Sequence, residues 1–590
     1  MGSLPIIQVN LHHAKGASGV LSRRFTKENL GVALIQEPWV RENKVMGLPN
    51  NKTCKLLYDN NCPNPRAAIL VSDKLNIFPL TEYISRDIVA IKVEVQTERG
   101  KKEIIISSVY FPGDTKTVPP AEVQDLIKFC RSQRNPFIIG CDANAHHTVW
   151  GSTDINDRGE SLFEYLVKNN IDISNRGNEP TFVNKIRKEV LDLTLCCPLI
   201  AEEVRNWHVS QEESLSDHRH IRFDISVANQ YTESYRDPRK TNWELYRKIL
   251  TDGGKLVDGN LHNNEQLENA CRCITQKITA AFHQSCPLIQ KTTSRDVPWW
   301  NNHLSHLRKE TRRLFNRAKR TSEWSEYKRA LTAYNKAIRQ SKRRSWRFLC
   351  ERIDQTPDVA KLQKALAKDH TNGLGSLKRS NGTFTKDAEE TLGEMMNTLF
   401  PGCIKTTYGD HTAHTTCLRR IRGAIYRNAK AIFTESKVKW AIETFEPFKA
   451  PGKDVIFPAL LQQGKEILIP YLVDIFRASL TLGYIPEGWR EVRVVFIPKS
   501  GKRDKNLPKS FRPISLTSIW LKIMEKILDD HIKSTAMQRF PLSKFQFAYQ
   551  KGKSTISALH MLTTKIEKTF QAKEYLSTLK EHLTMLLICR

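Results

Sequence analysis

The sequence predicts an α/β protein in which residues 1–225 form a two-sheet α/β sandwich, residues 226–440 a basic, mostly helical linker, and residues 441–590 a further ordered region. Three observations predict this. Short apolar runs rich in Val and Ile recur through the first 225 residues, punctuated by Gly, Pro and Asn and interleaved with helical patterns. Near residue 226 those runs give way to SVANQYTESYRDPRKTNWELYRKIL, which is polar and lacks strand character. The charge changes at the same place. Residues 1–225 hold 28 Lys+Arg and 28 Asp+Glu, whereas the remaining 64 basic and 35 acidic residues carry the whole net charge of +29. At 590 residues the chain exceeds what one hydrophobic core supports, so two or more domains are expected.

The expected strands of the front region follow in order, and most end in a polar side chain. IIQVNLHH ends in Asn10 and VALIQEPW in Glu37. AAILVS and IVAIKVEV carry no such residue, but EIIISSVYF ends in Tyr110. PFIIGCDAN ends in Asp142 and Asn144, EVLDLTL contains Asp192, and SLSDHRHI brings Asp217 and His218. The helical stretches ASGVLSRRFTKENL and AEVQDLIKFCRSQ fall between strands. Many short strands with interleaved helices indicate two packed sheets rather than one doubly wound sheet.

Acids, amides, a phenol and an imidazole at strand ends suit a divalent metal, a phosphate and an activated water. Glu37 is the expected hard metal ligand, with Asn10 beside it and Asp217 completing the metal set. Asp142 is placed to orient or deprotonate a water. Asn144 and Tyr110 are donors for phosphate oxygens, and Ser216 is a further substrate contact. His218 is expected to hydrogen-bond the phosphate or move a proton, with Asp192 fixing its tautomer. Any one of these short motifs occurs by chance; six in order do so rarely.

Residue by residue, Asn10, Gln36-Glu37-Pro38, Tyr110, Gly140-Cys141-Asp142-Ala143-Asn144, Asp192 and Ser216-Asp217-His218 resemble the endonuclease/exonuclease/phosphatase family, which includes DNase I and the apurinic endonucleases. CDAN stands where many members have GDFN, with the spacing of Asp and Asn kept. Thr181, in EPTF, matches a threonine that some members carry and is expected near substrate. The resemblance implies a Mg²⁺- (or Mn²⁺-) dependent phosphodiester hydrolase. It leaves nucleic acid, inositol phosphates and sphingolipid headgroups open as substrates.

Within 295–350 there are 16 basic and 4 acidic residues, with Trp299, Trp300, Trp324, Tyr327, Tyr334 and Trp346 among them. The basic face suits a nucleic-acid backbone; the aromatics suit either base stacking or the inner face of an amphipathic hairpin. Residues 351–440 alternate short helical patterns with loops such as KRSNGTFTKD. Cys403, His411, His414 and Cys417 match no common zinc spacing, and a cysteine-containing loop is the better reading. The 13 cysteines show no disulfide framework, and the apolar settings of Cys130, Cys141 and Cys196 suggest reduced thiols in an intracellular compartment. No stretch approaches the roughly 20 apolar residues of a membrane span, and no secretory leader is expected.

Lys499 and Arg512, at the ends of an apolar strand and of a loop, are placed to meet triphosphate oxygens or a nucleic-acid backbone. The order Lys449 to Asp454, Trp489 to Lys499, Arg512 to Leu516, Lys522 to Leu528 and Gln546 to Thr555 resembles the opening fingers of reverse transcriptases of non-LTR (LINE-like) retrotransposons. PWWN at 298–301 followed by LRKETRRLFNRAKR resembles the linker of jockey-like and site-specific arthropod elements. The combined resemblance implies a nuclease that nicks target DNA to leave a 3′-hydroxyl primer for target-primed reverse transcription. DNA and the element's RNA are then partners, and the nucleus is the place of action on chromosomal DNA. No aspartate follows Asp530, so the palm carboxylates that reverse transcription needs are expected to be absent from this chain and the polymerase part inactive. Two other classes stay open: a phosphatase of the same fold, and a non-catalytic nucleic-acid-binding relic. The sequence does not indicate an oligomeric state.

Overall fold

The computed structural model describes residues 2–571, apart from 52, 98–99, 116, 185–186, 228–233, 253, 255–260, 291–296, 322, 352–373, 403–417, 500–505, 549 and 551. The Cys403, His411, His414 and Cys417 group lies outside the described residues. The chain divides into two compact units. One comprises Met1–Tyr235, Leu288–Thr407 and Val495–Ile514; the other comprises Arg236–Pro287, Tyr408–Val494 and Ser515–Arg590.

The first unit is built on the expected two-sheet α/β sandwich. Its strands are β1 (Gly2–Asn10), β2 (Val32–Gln36), β3 (Cys54–Leu57), β4 (Ala67–Ser72), β5 (Asn76–Ile84), β6 (Ile88–Thr97), β7 (Gly100–Tyr110), β8 (Phe137–Asp142), β9 (Asp172–Ile173), β10 (Phe182–Val183), β11 (Lys188–Glu189), β12 (Asp192–Cys196), β13 (Val204–Val209) and β14 (Ile221–Val227). One six-stranded sheet has the order β13-β14-β1-β2-β4-β3, the other β9-β12-β8-β7-β6-β5, and β10 and β11 form a short ribbon. Each sheet has a parallel pair at its centre, β1 with β2 and β7 with β8. Strands covered on both faces read as unbroken apolar runs, and VALIQ and FIIGCD are buried at every position.

The main core cluster includes Ile6, Leu34, Ile69, Ile91, Ile106, Ile139 and Leu193. Gly140 lets the sheets approach: a Cβ there would stand 2.6 Å from Leu34 Cδ1 and 2.8 Å from Gln8 Oε1. Helices α2 (Ala121–Ser132) and α3 (Asp157–Lys168) add Val123, Leu126, Leu162 and Leu166 to this core. Helix α1 (Lys15–Lys27) packs Ala17, Val20 and Leu21 with Ile7, Val9, Ala33 and Ile35 in a second cluster.

Residues 226–440, expected as one linker, are divided between the units. The physical reason lies in α4 (Asn302–Thr321) and α5 (Ser325–Glu351). Their apolar residues Leu304, Tyr334 and Ile338 complete the cluster around α1, so this hairpin belongs to the sandwich. Its aromatics mostly face inward. Trp300 packs edge-on against Tyr334, and Phe315, Trp324 and Tyr327 form a cluster with centroids 5.4–5.8 Å apart; Trp346 is 46% exposed. A ribbon of Arg493–Pro498 and Phe511–Leu516 also joins this unit through Phe496 and Phe511, which pack with Leu377 and Met395. Two strands alone bury too little to stand free, which is why the ribbon needs that patch.

The second unit is helical. Helices Asn264–Ser285, Lys465–Leu482 and Ile519–Arg539 share a core that includes Ile274, Ile278, Phe282, Leu468, Leu472, Phe476, Trp520 and Ile523. Among the described residues no helix is long and apolar enough to cross a membrane.

Candidate active site

Register explains why distant polar residues meet. Asn10 lies beside Gln36 in the first sheet, so Glu37 follows at the same end. In the second sheet Asp142 stands between Tyr110 on one side and Asp192 on the other. The sheets are stitched at this end by side chains. Asn10 Nδ2 donates to Asp142 Oδ2 at 2.8 Å. Gln36 Nε2 donates to Ser108 Oγ and to the Gly140 carbonyl, each at 3.0 Å. Gln8 Nε2 donates to the carbonyls of Cys141 and Leu193 at 3.2 and 3.1 Å, and its Oε1 accepts from Thr194 Oγ1. A shift of one residue in either parallel pair would separate these partners.

His218 enters from the loop before β14. Its Nδ1 lies 2.8 Å from Asp192 Oδ2, and its Nε2 lies 3.9 Å from Asp142 Oδ2. All three are buried, and their ligand atoms fall within 4.8 Å of one another. Phe182 of the ribbon meets the imidazole edge-on at 4.9 Å. Thr181 is fully buried, and its hydroxyl accepts from the backbone N–H of both Leu191 and Asp192 at 3.0 Å. Its side chain therefore holds the strand that presents Asp192. Ser216 Oγ donates to the Asn10 carbonyl at 2.8 Å and accepts from the His218 N–H, tying the loop to β1.

Glu37 follows β2 in the left-handed region, φ +43°, and Asn144 follows β8 likewise at +45°. Such backbone costs on the order of 1 kcal/mol and persists where surroundings impose it. The Glu37 N–H donates to Arg66 O at 2.8 Å, and its carbonyl accepts from the His13 N–H at 2.9 Å. Its carboxylate lies 3.7 Å from His13 Nε2 and is 17% exposed. Asn144 Nδ2 donates to the Phe111 carbonyl. Asp217 sits at the rim, 48% exposed and 3.5 Å from His12 Nδ1. Lys499 and Arg512 are on the separate ribbon: Lys499 Nζ donates to the Lys509 carbonyl, and Arg512 is exposed. They are not among the groups gathered around Asp142.

The electrostatics set protonation. Burial pushes the Asp142 carboxyl up, opposed by the imidazole of His218. Burial acts against the His218 cation, but the carboxylates of Asp192, Asp142 and Glu37 outweigh it and raise the imidazole. Burial, then Glu37 and Asp142, pushes the Tyr110 phenol up to about 12, so it stays a neutral donor. Arg66, paired with Asp87 through two hydrogen bonds of 2.5 and 2.6 Å, lies over the Tyr110 ring at 4.7 Å. An open cleft beside Glu37 is lined by His13, Val40, Asn64, Arg66 and Arg86.

The donors fit a hard divalent cation. Several carboxylates converge on one imidazole, and Asp192 Oδ1 is buried without a hydrogen-bond partner. Sequence reasoning missed Gln8 and Arg66, and named Gln36 only as part of a motif, without a role. Gln8 and Gln36 are polar residues inside otherwise apolar strands, which was their signal; nothing local marks Arg66.

Residues 104–222 match the family model described as endonuclease-reverse transcriptase. Over 86% of its length the chain is 25% identical to a probable RNA-directed DNA polymerase from transposon BS of Drosophila melanogaster. Over 97% it is 22% identical to the RNA-directed DNA polymerase from mobile element jockey of Drosophila funebris. It spans 56% and 63% of those two relatives' lengths. Among solved structures, the endonuclease domain of TRAS1, a telomere-specific non-LTR retrotransposon, matches over 39% of this chain and 100% of its own, at 27% identity and a TM-score of 0.33.

Proposed function

Starting from a chain that resembles non-LTR retrotransposon polyproteins and carries an endonuclease-type domain, we propose that the sandwich is a Mg²⁺-dependent endonuclease. In this reading it nicks DNA to leave a 3′-hydroxyl and a 5′-phosphate. The observation that carries it is the meeting of Asp142, Asp192 and His218 with Asn10 and Glu37 at one end of both sheets. The partners that follow are target DNA and the element's RNA, the nucleus is the place of action, and the nick supplies the primer for reverse transcription.

Glu37, with Asn10 and Asp217, would hold the cation. When bound, it would neutralise charge on the phosphoryl oxygens and stabilise the leaving oxyanion. Asp142, pushed up by burial and hydrogen-bonded by Asn10, accepts a proton from the attacking water and orients it in line. Asn144 and Tyr110 donate to the non-bridging oxygens. His218, kept cationic by Asp192, donates to the phosphate as negative charge builds there. Thr181 and Ser216 act through others, by fixing Asp192 and the His218 loop.

The test is conversion of supercoiled plasmid to relaxed circle by the full chain in Mg²⁺. Nicking that falls at least 100-fold in both Glu37→Ala and His218→Ala supports the reading. Undiminished nicking in those variants, or none by the parent chain, defeats it.

A further inference from the structure

We propose that helix α5 is one wall of the nuclease's DNA-binding surface, where Arg339, Arg343 and Arg347 grip the backbone of duplex DNA to one side of the scissile bond. This rests on the nuclease reading above and names how the duplex outside the pocket is held.

The hairpin is tied to the framework of the site at both ends of α5. At the first end, Tyr327 donates its hydroxyl to Glu213 at 2.6 Å, while Arg308 of α4 makes a two-point pair with Glu212. Both acids belong to the loop that leads into His218. Near the other end, Lys342 packs over Gly19 of α1 and lies 4.8 Å from the Trp299 ring centroid. Lys15, at the start of α1, lies 4.9 Å from the Trp39 centroid, two residues from Glu37. Helix α5 therefore runs from the loop that carries His218 to the flank of α1, whose first residue stands by Trp39.

What α5 presents outward is cationic. Arg339, Arg343 and Arg347 are spaced by four residues and so share one face. All three are exposed, and among the described residues none has an acidic partner. From first to last they span about 12 Å of helix, the length of three to four nucleotides of one strand at about 3.4 Å each. The inward placement of Tyr334, Trp300 and Trp299 removes base stacking as their task; Trp346 is exposed three residues from Arg343, and the chemistry the arginines offer is phosphate contact. Anchorage to the loop that carries His218 favours the cleaved duplex over RNA as the occupant.

The experiment compares the full chain with R339A/R343A/R347A, and with a triple Lys version that keeps the charge. Binding to a 40-base-pair duplex is measured across salt concentrations, beside single-stranded RNA of equal length. Loss of three phosphate contacts lowers the slope of log affinity against log salt by about 2.7 on duplex DNA, and the Lys version restores most of it. Alanine favours helix and the sites are exposed, so the fold is kept. An unchanged slope on duplex DNA overturns the proposal, as does a slope lost on RNA alone. Failure of the nuclease reading looks different: the parent chain does not nick, whatever the slopes.

Discussion

Replacing Asp192 by Asn tests how the site sets the charge of His218. The exchange keeps the shape, because the backbone N–H of residue 192 stays bound to Thr181 Oγ1. It removes the carboxylate 2.8 Å from His218 Nδ1. With that carboxylate present, and against the pull of burial, His218 is raised to about 9 from an ordinary 6.5. Asp192 is the strongest of the raising influences, so much of the support goes with it. His218 then titrates lower, and its protonated fraction at pH 8 drops from about nine-tenths towards about one-tenth. Protonation alone costs about tenfold in rate, and lost orientation of the ring adds another 10- to 100-fold. Single-turnover plasmid nicking in Mg²⁺ from pH 5.5 to 9.5 is expected to show a rate roughly 10²–10³-fold lower at pH 8. Part of the loss is recovered near pH 6, with the alkaline limb moved to lower pH. A variant within threefold of the parent, with an unmoved alkaline limb, refutes the reasoning.

Glu37→Gln is expected to raise the half-saturating Mg²⁺ concentration at least tenfold, read by metal titration of nicking and of Mn²⁺ binding. Thr181→Val leaves two buried N–H groups without an acceptor, and denaturant unfolding should show a loss of about 2–4 kcal/mol. Gly140→Ala drives a methyl into Leu34 and Gln8 and is expected to cost about 1–3 kcal/mol in the same measurement. Glu213 is raised by burial to about 7 from 4.5. The folded state therefore holds its proton more tightly than the unfolded one, and the associated stability is present below pH 4.5 and lost as pH rises through 7. Glu213→Gln should abolish that fall, melting with the parent at pH 4.5 and above it at pH 8 by at most about 3 kcal/mol.

The sandwich was legible because its strands announce themselves twice, as unbroken Val/Ile runs and as polar ends. Asn10, Asp142, Asp192 and His218 were readable in this way, since a buried strand seldom ends in an acid or amide without a use for it. Thr181 and Ser216 were visible as residues but not in what they do. A hydroxyl beside a site looks like a substrate contact in sequence, and only backbone geometry shows that it caps N–H groups or ties a loop to β1. The hairpin α4–α5 was legible as basic and aromatic. That Tyr334 and Ile338 cover α1 was not, because the apolar face of α1 does not name its partner. What Gln8 and Gln36 bond to was hidden for a related reason: a bond from one sheet to the other depends on register across the core, which no local pattern encodes.

The most direct measurement of the central claim is anomalous diffraction from crystals of the full chain soaked in Mn²⁺. A peak at about 2.2 Å from a carboxylate oxygen of Glu37, on the side facing Asp142 and His218, is the expected result. A peak only at the separate His146, Asp154 and Glu189 group, with none at Glu37, would contradict the account.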